Sequence, residues 1–327
     1  MRYFEGSDWI ADVMVRLSAQ ITTVVRIDPN LVDQAGLVVG QDNSCRFCFG
    51  VQRAFLRVLG MSEHRISRLE QDLLTGDFTA PERAALDFAR RISQSKPLVD
   101  ASELNALRDN GFDNDDIVEL TGLIGMHLFL NRMSTFIALP PGQMESLPDK
   151  CWIRLARPLF AIKFRTMRRQ AQVVPLLAIE KTGPLSATVS CLDGLPMARD
   201  IRIILDRLWA NSALAGRTVS MLFAVVARAL ASESCEAEAR ELLIGHGLGA
   251  DDIERILTHL SSPLLSELES LLVPLARETV WYQPAQIQRR CAQVKSSITN
   301  EKFLDFCGAL SLFNALCRLG VLRHVRQ

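Results

Sequence analysis

The chain contains 327 residues, of which 48% are hydrophobic and 23% are charged, a balance typical of a folded protein rather than a disordered one. Its 37 basic and 37 acidic residues give a net charge of zero at pH 7, and it contains only 2 Tyr and 4 Trp. Nucleic-acid binding is therefore disfavoured, because it usually depends on a basic surface and stacking aromatic side chains. The length predicts one large or two medium-sized domains.

The N-terminal segment carries Glu5, Asp8 and Asp12 among its apolar residues, so the sequence predicts no signal peptide. No uncharged apolar run reaches the ~18 residues that a membrane-spanning helix needs. We therefore expect a cytoplasmic protein in which the 8 cysteines are mostly reduced. A closely spaced cysteine pair in such a protein indicates redox or metal chemistry rather than a structural disulfide.

Hydrophobic periodicity predicts helices along almost the whole chain, and therefore an all-α fold. Residues 115–133 begin with acids and end near Arg132, as the helix dipole favours, and are apolar on nearly every side, which predicts a buried central helix. In chain order, the predicted helices are residues 61–74, 82–92, 102–110, 115–133, 200–209, 219–231, 250–260 and 300–319.

The middle of the chain contains a strongly basic segment, followed by a segment without helical periodicity. Residues 150–169 carry seven Lys or Arg and no acid, which is suited to an anionic membrane surface. Pro158 predicts an interruption of the helix there, and covering a neighbouring domain is the interpretation that we favour. Residues 172–192 lack a helical period and contain Pro175 and Pro184, so we predict an extended linker.

The second half of the sequence repeats the first, which indicates a duplicated domain because the period is far longer than that of short solenoid repeats. We predict related helical domains at residues 1–145 and 193–327, joined by residues 146–192. One constant shift, without a gap, aligns Val38 with Val225, Cys48 with Cys235, Arg53 with Arg240, Gly60 with Gly247, Glu82 with Glu269 and Pro97 with Pro284. After a single deletion, the shortened shift aligns Gly122 with Gly308 and Arg132 with Arg318.

One motif carries chemistry, the Cys-x-x-Cys of residues 45–48. Gly40 is predicted to end the preceding helix, and Asn43 or Ser44 to cap the next one. This places Cys45 in the first turn and Cys48 one turn later on the same face. Free N–H groups at a helix N-terminus favour a thiolate.

Two thiols at this spacing can close into a disulfide and reopen, as a two-electron redox cycle requires. A zinc site would need two further ligands, and the chain contains no second Cys-x-x-Cys, so we predict neither a metal nor a cofactor. The alternative for the pair is that both cysteines pack as small apolar residues.

The run from Asp33 to Gln52 reads D-x11-C-x2-C-x3-Q. It resembles the E-x11-C-x2-C-x3-H motif of the peroxidase branch of the alkylhydroperoxidase D-like and carboxymuconolactone decarboxylase family. The run ERAALDFA from Glu82, the run GFDNDDIVEL over residues 111–120 and the pair Asn131-Arg132 also resemble that family. The resemblance covers most of the first half and, more weakly, the second, and implies two tandem domains of this type.

The resemblance implies that Cys48 attacks the substrate and that Cys45 resolves the intermediate. Asp33 stands at the position of the family glutamate, and Gln52 at that of the family histidine. Because Gln cannot titrate, acid–base help worth ~10²–10⁴-fold is expected to be missing. His127, inside the apolar helix, is either a packed core residue or the missing proton shuttle.

The second half retains Cys235 but carries Ser232, Ala239 and Ser220 where the first half has the other cysteine, the glutamine and the aspartate. We therefore predict that Cys235 has no partner and that this half is structural. For the whole chain we predict a peroxidase-like thiol oxidoreductase that reduces a hydroperoxide or a disulfide with electrons from a thiol donor. The alternative is a non-redox, decarboxylase-like or small-molecule-binding protein with a vestigial Cys-x-x-Cys. The resemblance also implies a homo-oligomer, a dimer or a trimer.

Overall fold

In a computed structural model, the chain is all-helical over the residues that the structure describes, which are 2–20, 23–71, 73, 77–94, 98–140, 146, 148–171 and 183–325. The predicted all-α class is therefore confirmed. The first eight helices are α1 (Asp8–Gln20), α2 (Pro29–Asp42), α3 (Arg46–Val58), α4 (Glu63–Gln71), α5 (Ala80–Ser93), α6 (Ala101–Asp109), α7 (Asn114–Phe136) and α8 (Cys151–Ala171). The others are α9 (Ser186–Ser190), α10 (Pro196–Asn211), α11 (Gly216–Leu230), α12 (Glu233–Gly245), α13 (Ala250–His259), α14 (Glu267–Glu278), α15 (Pro284–Lys295) and α16 (Asn300–Leu319).

Local chemistry explains where several helices begin. Thr79 and Glu82 form a capping box at the start of α5, in which each side chain accepts a hydrogen bond from the backbone N–H of the other residue. Asp113 and Asp116 form the same arrangement at the start of α7. These caps satisfy N–H groups that have no partner inside the helix, so helix starts coincide closely with the sequence pattern.

Two predictions about helix breaks are wrong. Gly40 does not end a helix but lies inside α2, where a Cβ atom would approach the backbone nitrogen of Phe49 to 3.2 Å. Its missing side chain therefore allows α3 to pack closely against α2. Pro158 lies inside α8 without interrupting it. Pro158 is exposed, so water can hydrogen-bond to the carbonyl group that loses its N–H donor.

The prediction of an extended linker over residues 172–192 is also contradicted in part. Residues 172–182 of this segment lie outside the described residues, but Ser186–Ser190 form the short helix α9. Thr188 and Val189 are buried, so packing of these side chains stabilises a helix that has no periodic signal of its own.

The centre of the molecule is formed by α7 and α16, which pack side by side. Nearly all of their residues are buried, and one hydrophobic core contains side chains from both halves of the chain. Among the described residues, only Asn300–His324 is long and apolar enough to cross a membrane, and 94% of its apolar window is buried inside the protein. We therefore assign this helix to the core of the protein.

Two glycines let other helices approach this central pair. A Cβ atom at Gly122 of α7 would lie 2.5 Å from the sulfur of Met197 in α10. At Gly308 of α16 a Cβ atom would overlap the side chain of Ile10 and lie 2.7 Å from Cζ3 of Trp9, both in α1. Each central helix is therefore covered by a helix from the other half of the chain.

The substitution Gly308→Ala should lower the free energy of unfolding by about 1–3 kcal/mol, because the buried Trp9 ring cannot move aside without disturbing the core. Urea unfolding followed by circular dichroism measures this change. Gly245→Ala in α12 is the matched control, since no atom lies within 4 Å of its added Cβ. The control should be neutral or stabilising by up to about 1 kcal/mol. An equal loss in both variants would contradict the close contact.

Candidate functional site

The cysteine pair lies where α2 turns into α3. Asn43 ends α2, and Ser44 adopts the left-handed conformation with φ of 49°. The N-cap of α3 is Cys45 itself, not Asn43 or Ser44 as predicted, and its sulfur accepts a hydrogen bond from the backbone N–H of Cys48 at 3.3 Å. The first sulfur therefore stands directly at the N-terminus of the helix, where partial positive charge favours a thiolate.

The two sulfur atoms lie 2.7 Å apart. A disulfide bond is about 2.05 Å long, so a movement of less than about 1 Å would allow it to form. Both side chains are buried, and the sulfur of Cys48 points towards α7, 3.5 Å from Oγ of Ser134 and 3.8 Å from the carbonyl oxygen of Leu130. The geometry suits a pair that exchanges between dithiol and disulfide.

Cys45 lines a cavity of about 410 Å³, hereafter the first cavity, whereas Cys48 does not. The walls come from both halves of the chain, so the cavity is incomplete without the second half. Its lining residues are Ser44, Cys45, Arg46 and Phe47 around the start of α3, Ser134, Thr135, Ala138, Leu139 and Pro140 at the end of α7, and Pro284, Ala285 and Gln288 of α15.

The environment shifts the pKa values of the two thiols in opposite directions. A hydrogen bond from the Cys48 thiol lowers the pKa of Cys45, against the opposing effect of burial, and the hydroxyl of Thr135 lowers it further. The same hydrogen bond to Cys45, together with burial, raises the pKa of Cys48 well above its usual value. The first proton lost from the pair therefore leaves a thiolate on Cys45, the sulfur that lines the first cavity.

A chain of hydroxyl groups leads away from Cys45. Oγ1 of Thr135, which hydrogen-bonds to Cys45, lies 2.5 Å from the hydroxyl of Tyr282, and the Tyr282 hydroxyl is 3.4 Å from the carbonyl oxygen of Asn131. The guanidinium of Arg132 lies over the Tyr282 ring, 4.6 Å from its centroid. Burial raises the pKa of Tyr282, so this phenol remains a proton-bearing group at neutral pH.

Sequence reasoning missed Ser134, Thr135 and Tyr282 as site residues. The hydroxyl residues closely follow the Asn131-Arg132 pair, which the resemblance did single out. No signal pointed to Tyr282, because 147 positions separate it from Thr135 and it belongs to the half predicted to be structural.

The other predicted site residues lie on the helices that hold the cysteine pair. Asp33 is buried on α2, and Gln52 lies on α3 one turn after Cys48. The ring of His127 in α7 lies against Gly36, where a Cβ atom would approach Cε1 of the ring to 2.6 Å. Oε1 of Gln52 and Nε2 of His127 are buried without a hydrogen-bond partner among the described residues.

Complete burial lowers the pKa of His127 to about 4, so its imidazole is uncharged at neutral pH. In the unfolded chain its pKa would be about 6.5, so the unfolded state takes up a proton that the folded state does not. His127 therefore contributes a loss of stability as the pH falls below about 6.5.

Between pH 7 and pH 5, the wild type should lose about 2 kcal/mol more of its unfolding free energy than His127→Phe does. Urea unfolding at both pH values measures this difference. His64→Gln, at an exposed position of α4, is the control and should behave like the wild type. If wild type and His127→Phe lose stability in parallel, His127 is charged in the folded protein and the argument from burial fails.

Cys235, predicted to be a packed cysteine without a partner, is buried, and its sulfur lies 3.8 Å from Oγ1 of Thr188. The thiol of Cys317 in α16 lowers the pKa of Cys235 to about 7, although burial opposes this change. Among the described residues, no group of three or more His, Cys, Asp or Glu side chains is placed to hold a metal ion.

Comparison with known proteins adds no relative from which a role could be transferred. No protein-family model matches the chain, and no match is found among curated proteins or solved structures.

Proposed function

We propose that this protein is a thiol–disulfide oxidoreductase in which Cys45 and Cys48 alternate between dithiol and disulfide. The substrate is a disulfide or a hydroperoxide, and a thiol donor returns the electrons. The observation that carries the proposal is the sulfur–sulfur distance of 2.7 Å at a helix N-terminus that borders a cavity. Two cysteines that served only as core residues would need neither the cap position nor the cavity.

Cys45 attacks in this proposal, whereas the family resemblance implies that Cys48 does. Cys45 lines the first cavity and loses its proton first, while Cys48 keeps its proton against α7. With a disulfide substrate, the Cys45 thiolate attacks one sulfur, forms a mixed disulfide and releases the other sulfur as a thiolate. Cys48 then gives up its proton and attacks Cys45, which closes the internal disulfide and releases the second substrate thiol.

A hydroperoxide makes a greater demand on proton transfer than a disulfide does. When the Cys45 thiolate attacks the outer oxygen, the O–O bond breaks and the departing alkoxide needs a proton, leaving a sulfenic acid that Cys48 converts to the disulfide with loss of water. Gln52 cannot supply that proton. The Tyr282 hydroxyl, in contact with Thr135, is one alternative, and burial raises its pKa, which makes it a weak donor. Disulfide exchange is therefore the faster reaction in this proposal.

The test is a titration of the reduced protein with a small aromatic disulfide and, separately, with cumene hydroperoxide. Peptide mapping by mass spectrometry should find a Cys45–Cys48 disulfide after either reagent, with the aromatic disulfide acting faster, and dithiothreitol should reverse it. Cys191→Ser, which removes a buried cysteine outside the site, is the control and should form the same bond. If both thiols remain free, the pair is vestigial and the non-redox alternative takes the place of this proposal.

We also propose that the chain consists of two tandem alkylhydroperoxidase D-like domains that arose by duplication. Helices in the two halves begin at matching positions: α3 begins at Arg46 and α12 at Glu233, which are related by the same shift as Cys48 and Cys235. The capping box of α5 also recurs in α14, where Ser266 and Glu269 take the parts of Thr79 and Glu82.

Contacts between the halves support the same proposal. Arg132 of α7 donates a hydrogen bond of 2.7 Å to the carbonyl oxygen of Thr279, just beyond α14. Arg318 of α16 donates one of 3.2 Å to the carbonyl oxygen of Ile92, near the end of α5. Ile92 and Thr279 are themselves equivalent under the sequence repeat, so each half presents the same groups to the other, as two domains packed about a pseudo-twofold axis would.

A further inference from the structure

One face of α8 leaves four large apolar side chains in solvent. Trp152, Leu155, Leu159 and Ile162 are 60%, 78%, 71% and 61% exposed, respectively. They recur at intervals of three or four residues, so they form a single row, hereafter the apolar stripe, which runs for about 15 Å along the helix. Single exposed apolar side chains are common in soluble proteins, but a contiguous row of large ones indicates a binding surface.

The apolar stripe is not the face that attaches α8 to the rest of the protein. Ile153 is buried, and the ring of Phe164 packs edge-on against that of Phe55 in α3, with 4.9 Å between the ring centroids. Just before the helix, Asp149 forms an ion pair with Arg57 of α3 at 2.5 Å. These contacts hold α8 against α3 and leave the apolar stripe exposed.

The segment that carries the apolar stripe is strongly basic. Asp149, the acid that precedes it, is paired with Arg57, and Lys163, next to Ile162, is exposed. An anionic lipid surface suits both features, because apolar side chains enter the boundary between headgroups and acyl chains while basic residues are attracted to the headgroups. Residues 150–169 contain no Asp or Glu, and their basic residues are Lys150, Arg154, Arg157, Lys163, Arg165, Arg168 and Arg169.

A second copy of the chain suits the apolar stripe less well. In a twofold-symmetric contact, the same surface of each copy meets the other, so two segments of seven basic residues and no acid would face each other. Like charges brought together across an interface oppose association. The charge of the segment therefore favours a lipid surface over self-association.

We propose that α8 docks the protein on a membrane surface that contains anionic lipids, with the apolar stripe inserted below the headgroups. The helix lies along the surface and does not cross the bilayer, because its other side is packed on α3 and it is not apolar enough to span. This goes beyond the function proposed above and does not depend on the cysteine pair.

The test is flotation of the full-length protein with lipid vesicles in a density gradient. With vesicles of phosphatidylcholine and phosphatidylserine in roughly equal parts, the protein should float, and with pure phosphatidylcholine it should not. Raising the salt concentration to roughly 0.5 M should release much of the bound protein, because salt screens the attraction to the headgroups.

Two variants of α8 test the apolar and the basic contributions separately. Leu155→Ser/Leu159→Ser should lower the affinity for the mixed vesicles by at least about 10-fold, since two side chains that enter the lipid are lost. Its control is Ile244→Ser, at a position of α12 that is 54% exposed, which should bind like the wild type. Lys163→Glu should also weaken binding, whereas Arg199→Glu, the same change of charge at an exposed position of α10, should not.

Three outcomes would overturn the proposal. The wild type does not float with the mixed vesicles, it floats equally well with pure phosphatidylcholine, or the double serine variant binds as tightly as the wild type. Light scattering without lipid tests the alternative occupant. If the double serine variant converts a wild-type oligomer to a smaller species, the apolar stripe is an interface between copies of the chain and not a membrane-docking surface. Because the cysteine pair is intact in every variant, the thiol titration described above fails or succeeds independently of these results.

Discussion

Replacing Cys45 by serine should lower the rate of disulfide reduction by at least about 1,000-fold, because it removes the thiolate that lines the first cavity. Stopped-flow absorbance with a chromogenic aromatic disulfide measures this rate directly. Serine is nearly isosteric and can still cap α3, so the loss would reflect chemistry rather than folding. A circular dichroism spectrum equal to that of the wild type checks the fold.

Cys48→Ser is the matched variant, and it should show a different defect. Cys45 still attacks, so one equivalent of the coloured thiol should be released in a rapid burst. Without a resolving thiol the mixed disulfide persists, and intact-mass measurement should find the adduct on Cys45. The opposite pattern, with a burst in Cys45→Ser and none in Cys48→Ser, would mean that the roles implied by the family resemblance hold and that Cys45 is the resolving thiol.

The largest expected effect on stability belongs to Glu119, in the first half of α7. Its carboxylate is fully buried and accepts hydrogen bonds from three consecutive backbone N–H groups, those of Val25 at 2.5 Å, Arg26 at 2.7 Å and Ile27 at 2.8 Å. Glu119→Ala would leave these donors without an acceptor and create a cavity. We expect a loss of about 3–5 kcal/mol in the free energy of unfolding.

Chemical unfolding of three variants distinguishes this explanation from a general effect of charge removal. Glu119→Gln keeps one acceptor oxygen and should lose less than the alanine variant. Glu103→Ala in α6 breaks only a solvent-exposed ion pair with Arg91, and should change stability by less than about 1 kcal/mol. A loss of less than about 1 kcal/mol for Glu119→Ala as well would mean that water replaces the carboxylate at the loop.

The helices were predictable from sequence because hydrophobic periodicity and capping are local signals. Residues 300–319 coincide with α16, and residues 115–133 fall inside α7. The breaks were less predictable, since Gly40 and Pro158 were expected to disrupt helices that in fact continue through them. Whether a glycine or proline ends a helix depends on what packs against it, and the local sequence does not contain that information.

In the candidate site, too, the local features were predictable from sequence and the features that depend on packing were not. The Cys-x-x-Cys motif was recognisable because both residues lie within one turn of one helix. Tyr282 was not recognisable, because it meets Thr135 only through the packing of distant helices. Asp33, Gln52 and His127 were named from the resemblance, and their roles remain predictions.

The central position of α7 and α16 has a consequence for protein synthesis. The two helices cover each other, yet α7 begins at Asn114 and α16 only at Asn300. At about 5–20 residues per second, the apolar surface of α7 waits for its partner for roughly 10–40 s. During that interval the apolar surface of α7 lacks the helix that covers it in the folded protein, and exposed apolar surface of this kind is prone to aggregation.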